Sequence, residues 1–156
     1  MKPLAEPVRG VLDALLDLRL ELSLLNRRIA SEVGLNDVDL DCLEVLSRQG
    51  PTSPARLTRR LGIHPATMTG ILARLEDSGW IKRTADPDDR RASVLRIHPE
   101  RDSHLRDRYS LARQAVVDGV AGRSNGDVAL VAEVLKDLAA RARTAREGQR
   151  GDKAST

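Results

Sequence analysis

The residues of this chain that could do chemistry are few, and their spacing decides which chemistry is open to them. His64, His98 and His104 stand apart, and no two have the i, i+4 spacing that sets a pair of imidazoles on one helix face. There is no HExxH, paired cysteines, glycine-rich phosphate loop or nucleophile elbow. Enzymatic chemistry therefore has no positive feature, and no cofactor is expected. A zinc site from His98, His104 and an acid competes with solvated surface histidines, and the spacing favours the latter. Cys42 is the single cysteine, which excludes an intramolecular disulfide. Its immediate neighbours are acidic or apolar, so it reads as a small buried hydrophobe; the alternative is a sensor thiol.

A different chemistry does recur, that of the grooves of DNA. In the helix expected from Pro65 to Ser78, the residues facing away from Met68, Ile71, Leu72 and Leu75 are Ala66, Thr67, Thr69, Gly70 and Arg74. Arg can pair with guanine O6 and N7, and a Thr methyl can pack on thymine. The backbone N–H groups at the Pro65 end offer a phosphate site. Arg74 could instead bridge to Glu76 or Asp77, of which only Asp77 shares its face. Downstream, Arg90 and Arg91 stand in a polar loop with Asp89.

Positioning these side chains requires a particular order of elements. Ser53 is placed to cap a helix with Pro54 at its first position; Leu57 and Leu61 form its apolar face while Arg56, Arg59 and Arg60 project elsewhere. Gly62 stops that helix, and Pro65 opens the next after a very short connection. Two short helices joined by a tight glycine-containing turn are a helix-turn-helix. Trp80 to Thr84 and Ser93 to Ile97 have strand character, with a loop from Ala85 to Ala92 between them. A strand pair with a basic loop directly after the second helix is a wing.

Leu75-Glu76-Asp77-Ser78-Gly79-Trp80-Ile81-Lys82-Arg83, followed by Asp86-Pro87-Asp88-Asp89-Arg90-Arg91-Ala92, resembles the multiple-antibiotic-resistance regulator (MarR) family of bacterial transcription factors. The resemblance runs from the first helix to about Ala145. It implies that Thr67, Thr69 and Arg74 contact DNA, that Asp89 and Arg91 hold the wing's shape, and that Arg91 reaches the minor groove, where narrow regions attract arginine. Arg90 is then expected on phosphate. Gly70 departs from the larger polar or basic side chain of many relatives. His98 and Arg101 stand where relatives usually carry threonine and glycine. The family's peroxide sensors carry their cysteine in the first helix, which here has none. The implied candidates for DNA contact are Ser53, Arg56, Pro65, Ala66, Thr67, Thr69, Gly70, Arg74, Asp89, Arg90 and Arg91.

Length and charge are compatible with that class. The chain has 156 residues with one Trp, one Tyr and no Phe, so its core must be aliphatic, which favours helices. The net charge of +3 is unevenly spread: Met1 to Ser47 carries five basic and nine acidic residues, Ser53 to His98 nine basic and five acidic. The basic excess thus falls on the segment with the DNA-binding topology. Val11 to Leu25 is interrupted by charges, there is no membrane-length apolar run, and a soluble cytoplasmic protein is expected.

Val8 to Glu32 reads as one long helix with two apolar stripes. Val8, Val11, Leu12, Leu15, Leu18, Leu22, Leu25 and Ile29 form one, expected to face the core; Leu16, Leu20 and Leu24 form the other, expected at an oligomer contact. Asn36 or Asp37 caps the next helix. After the wing, His98-Pro99-Glu100 opens a long helix with Leu105, Tyr109, Ala112, Val116 and Val120 on one face. Asp127 then caps a last helix carrying Val131, Val134, Leu135, Leu138 and Ala142 inward. Leu12, Leu16, Leu20, Val131, Leu135 and Leu138 are the expected dimerisation residues.

The expected fold is mainly α with a small two- or three-stranded β wing, a winged helix-turn-helix plus a helical dimerisation region. One domain over residues 1–147 is expected, with the reading head at about 36–98, dimerisation helices at about 8–34 and 99–146, and a disordered tail at 148–156. The expected function is that of a homodimeric, ligand-responsive repressor on a palindromic double-stranded DNA site, with a small molecule lodged between dimerisation helices and reading head. The alternatives are a winged-helix protein-interaction module that does not bind DNA, or a redox- or metal-responsive regulator.

Overall fold

In the computed structural model, which describes residues 5–86 and 92–153, the chain forms two units, 1–108 and 109–156. The first holds α1 (Glu6–Val33), α2 (Asp37–Gln49), α3 (Pro54–Leu61), α4 (Pro65–Asp77), β1 (Ile81–Ala85), β2 (Ser93–Ile97) and α5 (Pro99–Arg108). The second holds α6 (Ser110–Val120) and α7 (Asn125–Lys153). Among the described residues no helix is long and apolar enough to cross a membrane.

The helix ends of the first unit follow from local chemistry. Ser53 Oγ accepts the Arg56 N–H at 3.3 Å, Pro54 occupies the first helical position, and Gly62 closes α3 in the left-handed region at φ 75°. At α2 the cap is Asn36, and it is reciprocal: its Oδ1 accepts the Asp39 N–H at 2.9 Å while Asp39 Oδ2 accepts the Asn36 N–H at 3.2 Å. At α4 the cap is His64, whose Nδ1 accepts the Ala66 N–H at 3.3 Å. β1 and β2 pair antiparallel with Ile81 opposite Ile97, and Thr52 adds a single bridge to Leu95, so the wing has two strands and one bridging residue.

Leu40, Leu43 and Leu46 of α2, Leu57 of α3 and Met68, Ile71, Leu72 and Leu75 of α4 are buried together with Trp80, Ile81 and Leu95. Each such aliphatic side chain contributes about 1.5–3 kcal/mol of burial. Arg101 lies over the buried Trp80 ring, 5.1 Å from its centroid. Glu32 accepts from Arg28 at 3.1 Å and from Arg108 at 2.8 Å, tying the end of α5 to the end of α1. Arg28, and behind it Arg108, hold the Glu32 carboxyl below its ordinary range.

One polar contact crosses this core. Arg74 donates from Nε to Asp39 Oδ2 at 3.2 Å and from Nη2 to Asp39 Oδ1 at 2.6 Å. Asp39 is 1% exposed, whereas the Arg74 side chain remains 51% exposed at its outer surface. Next to Asp39, Cys42 is fully buried. Burial first, then the negative charges of Asp39 and Asp41, push its thiol up to about 12; Arg74 pulls weakly the other way.

Several elements differ from the reading of the sequence. The stripe of α1 expected to face the core is mostly exposed: Val8, Val11, Leu12, Leu18 and Leu22 are exposed, and in α1 only Ile29 and Ala30 are buried. The apolar period marks a face that wants a partner without saying which one. The helix expected to run on through Tyr109 breaks there, at φ −86° and ψ 4°, without a proline or glycine. The last helix is capped by Ser124, not Asp127. Ser124 Oγ accepts the Asp127 N–H at 3.1 Å and donates to Asp127 Oδ2 at 2.7 Å, which makes the acid the third helical residue of a capping pair. Val131, Val134 and Leu135, expected inward, are exposed, and Leu138 is half-buried. Finally, α7 continues to Lys153, into the stretch expected to be disordered. A lone glycine such as Gly148 weakens a helix by about 1 kcal/mol without having to stop it.

Two measurements follow from the core. In a double-mutant cycle, Asp39→Ala and Arg74→Ala should show a coupling of about 1–2 kcal/mol in urea unfolding, reduced from a fully buried pair because Arg74 is half exposed. Strict additivity would mean that the pair contributes nothing. Cys42 should resist a charged disulfide reagent at pH 8 in the native protein and react at once in denaturant. Because the folded thiol keeps its proton to about 12 while an ordinary one loses it near 9, stability should be unaffected by this group at neutral pH and fall between those values. A native thiol that reacts freely at pH 8 would overturn this.

Candidate nucleic-acid interface

Helix α4 turns Met68, Ile71, Leu72 and Leu75 into the core, and at 100° per residue this sets Ala66, Gly70 and Ala73 on the opposite side with Thr69 on one flank of it. All four are exposed, with Thr67 and Arg74 exposed at one edge of the same surface. The Thr69 hydroxyl donates to the Pro65 carbonyl at 3.0 Å, which commits its proton within the helix. A Cβ on Gly70 would meet open space. Pro65 begins this surface, and its missing N–H costs nothing at the first helical position.

The expected DNA-contacting residues are thus only partly brought together. Pro65, Ala66, Thr67, Thr69 and Gly70 share one outward surface. Ser53 and Arg56 stand at the start of α3, where the Ser53 oxygen serves the helix cap and Arg56 is exposed. Arg74 does not project freely: its guanidinium is held by Asp39, and neither Glu76 nor Asp77 is its partner. Asp39 takes Nε and one N–H of Nη2, so a base contact by Arg74 would use the N–H groups that remain on its exposed end. Asp89, Arg90 and Arg91 lie outside the described residues.

The register of the wing adds residues that sequence reasoning missed. Lys82 stands directly opposite Arg96, both are exposed, and neither makes an ion pair among the described residues. Like charges directly across a strand pair are destabilising, and an anion between them reverses the sign. Arg83, one position on, is held instead by Glu76 of α4 at 3.1 Å. The signal was present in the sequence: pairing Ile81 with Ile97 puts Lys82 against Arg96. Ala73 was missed likewise, although it lies on the Ala66–Thr69 face of the helical wheel.

Beside the outward surface of α4 lies a cleft of about 750 Å³ between the end of α1, the start of α2 and the Thr67–Gly70–Arg74 edge of α4. Its charged lining is Arg27, Asp37 and Arg74, and Ala30, Leu35 and Ile71 are among its apolar residues. Among the described residues no three His, Cys, Asp or Glu side chains gather where they could hold a metal ion.

Comparison with known proteins converges on one kind of molecule. The HTH-type transcriptional regulator PecS of Dickeya dadantii is 32% identical over 76 residues, covering 47% of this chain and 46% of that one. An uncharacterised HTH-type transcriptional regulator, YcgE of Bacillus subtilis, is 27% identical over 95 residues, 61% of this chain and 62% of its own length. The chain thus spans about half to three-fifths of the curated relatives it matches. These relatives are regulators of transcription, not enzymes. Among solved structures, a MarR family protein from Bacillus stearothermophilus superposes with a TM-score of 0.68 at 16% identity, over 89% of this chain and 98% of that one. The transcriptional regulator BldR from Sulfolobus solfataricus gives 0.61 at 23%, over 90% and 99%. At these identities the structures establish the shared winged-helix fold. The sequence model of the MarR family matches residues 35–93, the stretch that holds α2, α3, α4 and β1 with their caps and ends at the first residue of β2, so this reading head is similar to that of the MarR family.

Proposed function

We propose that this chain is a sequence-specific DNA-binding transcriptional regulator, a cytoplasmic repressor that binds a pseudo-palindromic operator as a homodimer and is released by a small ligand. The observation that carries it is the pairing of an outward α4 surface with the Lys82–Arg96 pair on the adjoining wing, which has no ion-pair partner among the described residues. A helix whose exposed face bears small side chains fits a major groove, and an exposed cation pair suits phosphate. In this reading Ser53 and Arg56 meet the backbone at the start of α3. At the wing tip Asp89 orients Arg91 toward the minor groove and Arg90 meets phosphate. Residues 1–147 work as one functional domain, with the reading head at about 36–98 between dimerisation helices.

The homodimer is supported by apolar surface that one chain leaves open. Leu12, Leu16 and Leu20 of α1 and Val131 and Leu135 of α7 are all exposed, Leu16 to 56%. A helix face that leaves this many large apolar side chains exposed suits burial against a partner. A two-fold dimer also places two α4 helices about one DNA turn apart, as a palindrome requires. The cleft between α1 and α4 is where an effector would act. A ligand there bears on a dimerisation helix and the reading helix together, so it can change the spacing of the two α4 helices. Regulation through thiol oxidation is disfavoured by the burial of Cys42 and its raised pKa.

Sedimentation of the native chain at micromolar concentration should give a dimer, and Leu16→Glu should shift it toward monomer; a stable folded monomer of the unaltered chain would sink the assembly proposed. Lys82→Ala should act with opposite sign on two readouts. It should slightly raise the stability of the free protein by relieving the repulsion from Arg96. It should also lower affinity for all DNA sequences alike and reduce the salt slope by about 0.9 per contact per subunit. An unchanged salt slope would remove Lys82 from the phosphate contacts, and failure of the native chain to be retained on nonspecific DNA at low salt would favour a protein-interaction module instead.

A further inference from the structure

The outward surface of α4 is unusual in what it lacks. Bidentate recognition of guanine takes Arg or Lys and that of adenine takes Asn or Gln, while Glu or Asp accepts from cytosine. Helix α4, Pro-Ala-Thr-Met-Thr-Gly-Ile-Leu-Ala-Arg-Leu-Glu-Asp, contains no Lys, Asn or Gln. Its one cation, Arg74, is held by Asp39 through two hydrogen bonds. Glu76 is held by Arg83. Asp77 is exposed but closes the C-terminal end of the helix, about 16 Å along the axis from Ala66 and at the negative end of the helix dipole.

The exposed positions opposite the core are instead Ala66, Gly70 and Ala73, flanked by Thr69. Three of these carry a methyl group. Thr69 has given its hydroxyl proton to the Pro65 carbonyl, so toward the groove it offers a methyl group and oxygen lone pairs, not a donor. Gly70 leaves open space between them, so the helix backbone can approach the base edges closely. The base atom complementary to a row of methyl groups is the thymine C5-methyl, which only A·T and T·A pairs present.

We propose that α4 specifies its half-site chiefly through thymine methyl groups packed against Ala66, Thr69 and Ala73, and that Thr69 is a specificity-determining residue. This rests on the DNA-binding reading above and deepens it: the operator half-site carries thymines where α4 enters, and guanine at those steps is selected against. Arg74 is then a positioning residue, fixing the pitch of α4 through Asp39.

The test uses the full-length chain and a short duplex enriched from a randomised pool by that chain. Replacing each dT of a half-site by dU removes one methyl group and nothing else. Two or three positions per half-site should lose affinity by about fourfold each, the value of one buried carbon. Thr69→Ser keeps the hydroxyl that bonds Pro65 and deletes only the methyl. It should weaken the dT duplex by a similar factor and make one of the dU replacements silent, a coupling a merely structural role would not produce. Half-sites rich in G·C where α4 enters, or dU replacement without effect, would overturn the proposal while leaving the DNA-binding reading intact. Failure to enrich any sequence overturns both.

Discussion

Asp39 is a carboxylate with almost no exposed surface, and a charge in that position must be surrounded by donors or it destabilises the fold by several kcal/mol. Its donors come from two places far apart in the chain: the Asn36 N–H at the start of α2, and Nε and Nη2 of Arg74 in the last turns of α4. All three are satisfied only when α4 lies against α2 at one inclination. The reading helix is therefore fixed by a directional contact, added to an aliphatic core that would tolerate small shifts. From α4 the constraint passes outward, because Glu76 holds Arg83 of β1 and so sets the wing against the helix. The same carboxylate also raises the proton affinity of the neighbouring Cys42. An interaction that looks like mere stabilisation thus governs the placement of both reading elements.

That constraint redistributes the charges available to a nucleic acid. With Arg74 and Arg83 engaged internally, the exposed cations near the outward surface of α4 include, among the described residues, Arg56 and Arg59 on α3, Lys82 and Arg96 on the wing and Arg27 at the cleft. Charge lies at the flanks and small side chains lie in the middle. Such an arrangement separates the two parts of recognition, since phosphate contacts orient a protein on the duplex and base-edge contacts discriminate sequence. A central face without long side chains also loses little rotamer entropy on binding.

What could be read in advance was what local chemistry decides. Ser53 and Pro54, Gly62, Pro65 and the Asn36–Asp39 pair determine helix ends within a few residues of themselves, and the strand pair follows from the β-branched and aromatic run around it. The Asp39 partner of Arg74 was not legible because it lies 35 residues away, whereas sequence spacing reveals only partners at i+3 and i+4. The break at Tyr109 carries no local signature, and nothing in the flanking residues forces it. Asp127 was read as the cap from its side-chain type, but in a capping pair the residue whose backbone is not yet helical is the cap, here Ser124. The two stripes of α1 were legible as apolar and illegible as to partner, since periodicity reports that a face is to be buried and not by what.

The unpartnered faces bear on how such a chain can fold. The 28-residue α1 buries only Ile29 and Ala30, and in the second unit none of the described side chains is buried. Two helices with no buried residue between them have little to offset the entropy of ordering, because helical stability in proteins comes mainly from packing an apolar face. Nor can composition rescue them: with no Phe and a single Tyr at their boundary, α6 and α7 hold small aliphatic residues whose individual contributions are modest. The homodimer proposed above would couple their order to association. In the proposed homodimer, the same burial that joins two chains also folds these helices, so stability and assembly share one concentration dependence. The reading head differs in kind, since its core of Leu43, Leu57, Met68, Leu72 and Leu95 closes within one chain. A regulator built this way keeps its DNA-contacting surface rigid while leaving the spacing between its two copies to an interface, and spacing is the quantity a ligand in the cleft beside α1 would have to change.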